Sequence, residues 1–235
     1  YPQEGVYYQT YGAARNPNPD LRWEKKKEWN LGFDFLLFSN KLTGSLDFYT
    51  RNTVDLLYDY TAQQPAFVKG SLLTNVGSIN NKGIELYLSS MIMEKGDFSW
   101  QMDLTANTQI NEITSLSNDV FTVSWLETGG LPSPGNLGNA IRVEEGGAVG
   151  NFYGKKFAGF NEDGKWLFYK ADGSTGTAGE MSQEDLTIIG NGVPKYMASL
   201  NNVFRYKGFD FTVFFRGKFD FDILNTKELY FGNKR

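Results

Sequence analysis

The sequence predicts an all-β fold, namely a segment of an antiparallel β-barrel that crosses a membrane. Three observations predict it. Apolar and polar residues alternate with a period of two over long stretches, which is typical of strands with one apolar and one polar face. Short polar turns separate some of these stretches, and long segments separate others. Several stretches also exceed the ~9–11 residues that a tilted strand needs to cross a bilayer.

The alternation is most regular between Phe98 and Ile110. Even positions there are apolar, apart from Thr108, and most odd positions carry hydroxyl, amide or carboxylate groups. Because successive side chains of a strand point to opposite faces, this strand has one apolar and one polar face. The same alternation occurs at 29–37, 42–49, 84–89, 196–205 and 209–216. The sequence therefore predicts about six long strands.

The connections between these strands come in two sizes. Ser39–Lys41, Glu94–Asp97 and Lys207–Gly208 are polar and contain Gly or Asn, so they are predicted hairpin turns. The long segments are rich in Gly, Ser, Asn and Pro and cover roughly residues 59–80, 114–149 and 161–194. Short turns at one end and long loops at the other are typical of outer-membrane barrels, whose turns are periplasmic and whose loops are extracellular.

Aromatic residues support the same interpretation. Several apolar positions that we place near the short turns are aromatic: Trp29, Phe38, Phe98, Trp100, Tyr206 and Phe209. Rings at the membrane interface would explain Phe98, Trp100 and Phe209. The alternative is the aromatic core of a soluble β-domain, because a half-buried strand has the same pattern in either solvent. The mean hydropathy of −0.41 does not exclude a barrel, since alternation keeps the average low.

The composition excludes several classes of function. The 235 residues include no Cys and no His, which excludes disulfide scaffolds, zinc–thiolate sites and Ser-His-Asp triads. A formal net charge of −4 gives no global attraction to nucleic acid. The carboxylate pairs Glu144–Glu145 and Glu184–Asp185 have no second group placed across a substrate. We therefore predict that the chain is not an enzyme.

The predicted strands are too few to close a wide barrel. Open sheet edges are not tolerated in lipid, so the chain is either a soluble open sheet or a piece of a larger barrel. The chain begins at Tyr1 and shows no signal-peptide pattern, which favours a piece.

Several strings resemble SusC/RagA-type TonB-dependent transporters of Bacteroidota. Asn18–Glu24 resembles the family string Asn-Pro-Asp-Leu-Lys-Trp-Glu, with Arg22 in the place of Lys, and Asn75–Leu86 is the most specific match. The other matching strings, in family order, are Asn30–Phe35, Leu42–Tyr49, Thr53–Leu57, Phe152–Gly154 with Phe157–Gly159, Ile189–Lys195 and Phe209–Gly217. The resemblance covers nearly the whole chain.

The resemblance implies energised uptake across the cell outer membrane. Residues 1–235 would be a partial β-barrel domain of a 22-stranded barrel, without the plug and the last barrel strands. TonB would act through the missing N-terminal part, and a SusD-like surface lipoprotein would close the mouth as a lid. The cargo would be an oligosaccharide or a peptide, and two transporter–lipoprotein pairs would form a dimer. The lipid of the outer membrane would surround the barrel.

No cofactor and no metal are predicted for this chain. Family members often carry an acidic loop before the Ile-Gly-Asn string, but Lys170–Gly176 lacks the alternating carboxylates of a Ca²⁺ loop. No metal site is therefore expected there.

Two groups of residues are candidates for function. Charges on a lipid-facing surface are costly, so the charges of the polar faces are expected to point into the lumen: Asp34, Asp47, Glu85, Asp103, Asp210 and Arg216. Aromatic rings in or beside the long segments suit contact with a sugar or a lid protein. The candidate ligand-binding residues are Trp125, Trp166, Tyr58 and Tyr60, although Trp166 is expected to pack within its own hairpin.

Two other classes of function stay open at this point. The chain could be a soluble all-β carbohydrate-binding module, which would fold alone in water. It could also be a fragment of a secreted glycoside hydrolase, which requires two convergent carboxylates at hydrolytic spacing.

Overall fold

The structure is a computed structural model that describes residues 2–3, 6–7, 12–62, 67–118, 122–131 and 138–227. Strands dominate these ranges, with two single-turn 3₁₀ helices, Ala178–Glu180 and Gln183–Asp185. The strands are β1 (Pro2–Gln3), β2 (Val6–Tyr7), β3 (Lys25–Leu37), β4 (Leu42–Val54), β5 (Leu57–Thr61), β6 (Ser71–Asn75), β7 (Ser78–Lys95), β8 (Phe98–Ser115), β9 (Trp125–Gly130), β10 (Asn139–Glu144), β11 (Asn151–Gly154), β12 (Phe157–Phe160), β13 (Trp166–Tyr169), β14 (Thr175–Thr177), β15 (Thr187–Asn191), β16 (Tyr196–Tyr206) and β17 (Phe209–Phe219).

The main body is a six-stranded antiparallel sheet in the order β17-β16-β8-β7-β4-β3. Its strands are 11 to 18 residues long, which confirms the predicted long strands. Each strand pairs with the next long strand in the chain, so the sheet is an up-and-down meander. Within the described ranges the sheet does not close on itself, since β3 and β17 are its edges.

The cross-strand register separates the side chains of this sheet into two faces. One row crosses all six strands with mainly polar residues: Asp34, Ser45, Tyr87, Thr105, Ser199 and Arg216. The next row is apolar apart from glycine: Phe33, Leu46, Leu86, Ala106, Ala198 and Gly217. Because neighbouring rows point to opposite sides, we call the two sides the polar face and the apolar face.

The ends of the sheet differ as the sequence predicts. Three short turns, at 38–41, 96–97 and 207–208, lie at one end. The last is a two-residue turn in which Lys207 and Gly208 have φ of 45° and 81°, the left-handed conformation that suits strand twist. Two long connections, 55–77 and 116–195, lie at the other end. The expected segments 114–149 and 161–194 are therefore parts of one connection, because β11 and β12 pair outside the main sheet.

Aromatic rings cluster on the apolar face near the short turns. Trp100 stacks on Phe204 with 5.5 Å between ring centroids, and Phe204 stacks on Phe211 at 6.2 Å. Phe209 is 78% exposed in the same area. The placement of Trp29 near a short turn was wrong: β3 begins at Lys25 and runs toward the turn at 38–41, so Trp29 lies near the opposite end.

Packing explains why one position of the string Asn75–Leu86 is occupied by glycine. Gly83 of β7 pairs with Tyr49 of β4, and the Tyr49 ring lies over it. A Cβ at position 83 would collide with the Thr108 carbonyl oxygen of β8 and would lie 2.7 Å from the Tyr49 hydroxyl oxygen. Only glycine therefore lets these two strands pair with the tyrosine in this position.

The long connections carry small sheets of their own. β5 pairs with β6, β15-β11-β10-β9 form a four-stranded sheet, and β12-β13-β14 form a three-stranded one. In the part of the chain that the structure describes, no helix has the length and apolar character to span a membrane.

Asparagine side chains attach the segment before β3 to the β5–β6 hairpin. Asn16 donates to the carbonyls of Lys69 and Ser71 at 2.7 and 2.6 Å, and Asn18 donates to Leu73 at 2.9 Å. The side chain of Asn75 is the hub: it accepts from the Arg22 amide and donates to the carbonyls of Arg22 and Asp55.

We expect Asn75→Ala to release the segment before β3. Asn75 is 7% exposed, and removal of its amide leaves three backbone groups unpaired, which costs about 1–3 kcal/mol. In the full-length protein, trypsin should then cleave after Arg22 about tenfold faster or more. Asn80→Ala is the matched control, because the Asn80 amide makes one long 3.4 Å contact. Equal cleavage rates in the two variants would contradict this role of Asn75.

Candidate functional site

The six charged residues selected from the sequence lie on the polar face. Asp34 lies in one row of this face, and Asp47 lies directly opposite Glu85 in a row two residues away on the same face. Asp103 on β8 and Arg216 on β17 have the same side-chain direction by the register. Asp210 lies opposite Arg205 in a row of the same face, and the two side chains are 3.5 Å apart. That this face lines a lumen stays a prediction.

Polar side chains on this face bind each other across the strands. Asp103 accepts hydrogen bonds from Ser89 Oγ at 2.7 Å, Gln101 Nε2 at 3.1 Å and Asn201 Nδ2 at 3.2 Å. Toward the long connections, the Arg51 guanidinium donates two hydrogen bonds of 3.1 Å to the Glu28 carboxylate. These hydrogen bonds fix the positions of polar side chains that would otherwise bind only water. The polar face is therefore hydrophilic, and several of its side chains are held in place by their neighbours.

A cation between two aromatic rings marks the four-stranded sheet of the second long connection. The Arg142 guanidinium carbon lies 4.5 Å from the Trp125 ring centroid and 4.4 Å from that of Tyr153. Arg142 Nε is 3.1 Å from Glu144 Oε2. Each cation–π contact contributes about 0.5–2 kcal/mol. We call Trp125, Arg142, Glu144 and Tyr153 the arginine stack.

The stack has features of a binding surface. Trp125 remains 46% exposed, although Arg142 covers one side of its ring. Glu127 lies opposite Arg142 in the register and Glu144 lies opposite Trp125, so two carboxylates flank the ring. A flat ring suits the apolar face of a sugar or a side chain, and carboxylates accept hydrogen bonds from hydroxyl or ammonium groups. The stack therefore carries the groups that recognition of such a molecule would need.

The other aromatic candidates have different environments. The Trp166 ring contacts Phe157, Phe160 and Phe168 at centroid distances of 5.5, 6.2 and 6.3 Å. It thus packs within its own small sheet, while 49% of it stays exposed. Tyr58 is 39% exposed and lies edge-on to Tyr60.

Tyr60 is held as a structural residue. It is 5% exposed, and its hydroxyl donates a 2.6 Å hydrogen bond to the Leu116 carbonyl. Burial leaves no ring face of Tyr60 open to a cargo.

Arg142 and Tyr153 were not identified from the sequence. A period-two pattern places Arg142 on one side of a short strand, but nothing in it shows that Trp125 and Tyr153 flank that side. Their positions follow from the pairing of β10 with both β9 and β11. A basic residue in the middle of a short strand was the signal that the sequence offered.

Carboxylates in the second long connection cap 3₁₀ helices. Glu180 accepts hydrogen bonds from the Thr177 amide and hydroxyl at 2.7 and 2.9 Å, and these bonds hold its pKa below the ordinary value. Asp185 accepts from the amides of Ser182 and Ala171, which likewise lowers its pKa. Among the described residues, no three acidic side chains converge as metal ligands.

The chain was compared with known proteins. A family model described as "TonB dependent receptor-like, beta-barrel" matches residues 2–233. "TonB-dependent receptor P3" of Formosa agariphila is 32% identical over 92% of this chain. "TonB-dependent receptor SusC" of Bacteroides thetaiotaomicron is 28% identical over 97% of it. Two solved structures, the RagAB peptide transporter and the RagAB peptide importer in its "closed-closed" state, superpose with TM-scores of 0.75 and 0.74 at 27% identity.

The chain spans less than a quarter of the length of these proteins. It covers 22% of the P3 receptor and 23% of SusC. The two RagAB superpositions include 92% and 94% of this chain, and in each of them the chain covers 23% of the matched RagAB chain.

We expect Glu180→Gln to loosen the loop around Thr177 at neutral pH. Because the folded pKa of Glu180 is lowered, its stabilising effect is present above the unfolded value of about 4.3. The effect is lost as the pH falls through the lowered folded pKa. Hydrogen exchange in peptides covering 175–187 should therefore be faster in the variant at pH 7, with the difference vanishing at low pH. Glu184→Gln is the control, and an equal effect of both changes would contradict the capping role.

Proposed function

Because the chain belongs to the TonB-dependent receptor-like β-barrel family, we propose that it is part of the barrel of an outer-membrane, TonB-dependent transporter. The two-faced register of the six-stranded sheet carries this proposal. The apolar face would meet lipid and the polar face would line the lumen. The short turns would be periplasmic and the long connections extracellular.

The unpaired edges support a larger barrel. Among the residues that the structure describes, β3 and β17 are unpaired on their outer sides along 13 and 11 residues, and unpaired backbone groups are very costly in hydrocarbon. Further strands of a longer protein would pair with both edges and close the wall, and a plug domain would fill the lumen. In this view, residues 1–235 are a partial barrel domain.

We further propose that the whole protein imports an oligosaccharide or a peptide together with a SusD-like surface lipoprotein. The relatives named SusC and RagAB support this class, and RagAB is described as a peptide transporter. TonB would supply the force through the plug. The arginine stack would contact cargo from the extracellular side, and two transporter–lipoprotein pairs would form a dimer.

The soluble alternative has less support. The apolar face carries side chains with large exposed fractions, including Trp29 at 80%, Phe211 at 62% and Phe215 at 60%. A soluble module of this size would bury such rings against a second layer. In the described ranges no strand of the small sheets pairs with a strand of the main sheet, and the exposure of these rings shows that no second layer covers them there. Lipid explains this exposure directly.

The hydrolase alternative is also weakly supported. Glu145 accepts a 2.7 Å hydrogen bond from the Leu116 amide, and Asp185 caps a 3₁₀ helix. One carboxylate of each pair found in the sequence therefore has a structural use.

Spin labels on adjacent residues of β7 test which face meets lipid. Glu85→Cys and Leu86→Cys place a nitroxide on the polar and the apolar face, respectively. In the full-length protein, in a background without other cysteines, we expect the label at 86 to collide more with O₂, which concentrates in lipid. The label at 85 should collide more with a water-soluble nickel chelate. Inaccessibility of position 86 to both reagents would instead indicate a dry core and a soluble fold.

Uptake measurements test the arginine stack. Trp125→Ala should weaken cargo binding about five- to thirty-fold, since loss of a half-exposed aromatic contact costs about 1–2 kcal/mol. The readout is growth and binding with oligosaccharide or peptide mixtures as the sole supply. Trp166→Ala is the matched control, because it removes the same side chain from a ring cluster. A larger loss in the control than in Trp125→Ala would refute a cargo role for the stack.

A further inference from the structure

The apolar face contains a groove near the end with the long connections. It has a volume of about 490 Å³ and crosses the outer surfaces of β3, β4, β7 and β8. Six outward side chains give its character: Trp29, Leu31, Phe48, Ile84, Thr108 and Ile110. Thr108 is the smallest of these six side chains and adds one hydroxyl group to the lining. The groove is thus an open, mainly apolar depression.

The groove lies at one edge of the apolar band. Trp100 marks the opposite aromatic edge on β8, ten residues before Ile110. Ten residues span about 33 Å along a strand, which is roughly 25 Å across the membrane at a tilt of ~40°. That height matches the apolar band of outer-membrane barrels. In the proposed orientation the groove therefore lies in the outer leaflet.

Two lysines without ionic partners stand at the rim of the groove. Lys82 lines the groove opposite Ile110, and Lys27 lies on β3 two residues before Trp29. Both side chains point outward by the register. In the described part of the chain neither forms an ion pair, whereas Lys25 on the same face is 3.4 Å from Asp55. Two ammonium groups are therefore available at headgroup height.

One carboxylate lies on the same face. Glu112 shares the cross-strand row of Lys27, three strands away, which is about 14 Å across the sheet. It lies diagonally beside Lys82, yet no ion pair joins it to either lysine among the described residues. The two lysines thus exceed the acidic charge at the rim.

We propose that this groove binds one acyl chain of a phosphorylated outer-leaflet lipid, whose phosphate contacts Lys82 and Lys27. The inference rests on the proposed function, since it needs the apolar face in lipid. The charge argues for this occupant: a second copy of the chain would bring its own Lys27 and Lys82 toward the same rim. The apolar groove matches the acyl chain of such a lipid, and the two lysines at its rim match the phosphate to which that chain is joined.

Native mass spectrometry of the full-length transporter tests the proposal. The protein is purified from outer membranes, stripped of lipid and titrated with monophosphoryl lipid A or its dephosphorylated form. Lys27→Gln with Lys82→Gln should weaken binding of the phosphorylated lipid about tenfold or more and leave the dephosphorylated lipid unchanged. Lys41→Gln with Lys95→Gln is the matched control, because it removes the same charge at the short-turn end. Inorganic phosphate should not displace the lipid.

A second pair of variants tests the groove. Thr108→Phe fills the groove without a change of charge and should weaken both lipids, whereas Ala198→Phe adds the same ring on the apolar face outside the groove and should weaken neither. Equal binding by the wild type and the double-lysine variant would overturn the proposal. So would an equal loss in the lysine control, or an Ile84→Cys disulfide between two copies in the membrane.

The outcomes also separate this inference from the proposed function. The proposed function is contradicted if the wild-type protein is absent from the outer-membrane fraction, or if position 86 is inaccessible to O₂. This inference alone is contradicted if the protein is inserted and imports cargo, but its lipid binding is unchanged by the substitutions at Lys27, Lys82 and Thr108.

Discussion

The structure depends on one constraint: the backbone groups of each long strand are satisfied by neighbouring strands, in a fixed register. A shift by one residue would exchange the two faces along a whole strand. The matched rows through Asp34 and Phe33 show that six strands keep the same phase. Both proposed environments, lipid and lumen, follow from that phase. The charges on one face and the rings on the other then have physical reasons.

The sequence predicted the main sheet well because the signals for it are local. Period-two alternation and hairpin turns such as Lys207–Gly208 are contained in short windows, and the register between adjacent strands follows from the turns. The error at Trp29 had a simple cause. The alternation pattern looks the same whichever end of the strand an aromatic residue occupies. The position of the turn at 38–41 shows that Trp29 lies at the opposite end of β3.

The long connections were less predictable because their structure depends on non-local pairing. β11 pairs with β15, more than thirty residues later, and nothing local indicates that partner. The merging of two predicted loops into one connection results from this pairing, whereas the arginine stack results from the pairing of β10 with β9 and β11. Trp125 was selected for its ring alone, whereas the geometry around it needs β10 between β9 and β11.

The need to satisfy backbone hydrogen-bonding groups is met differently in the proposed membrane zone and in the long connections. In the proposed membrane zone, only another strand satisfies an exposed edge, because hydrocarbon offers no hydrogen bonds. Beyond that zone, side chains serve instead: Asn16 and Asn18 bind along β6, Asn75 holds the segment before β3, and Asp185 caps a 3₁₀ helix. Water competes with each of these bonds, so each is individually weak. In the proposed transporter, this difference would let the long connections adapt to a cargo while the wall keeps a single register.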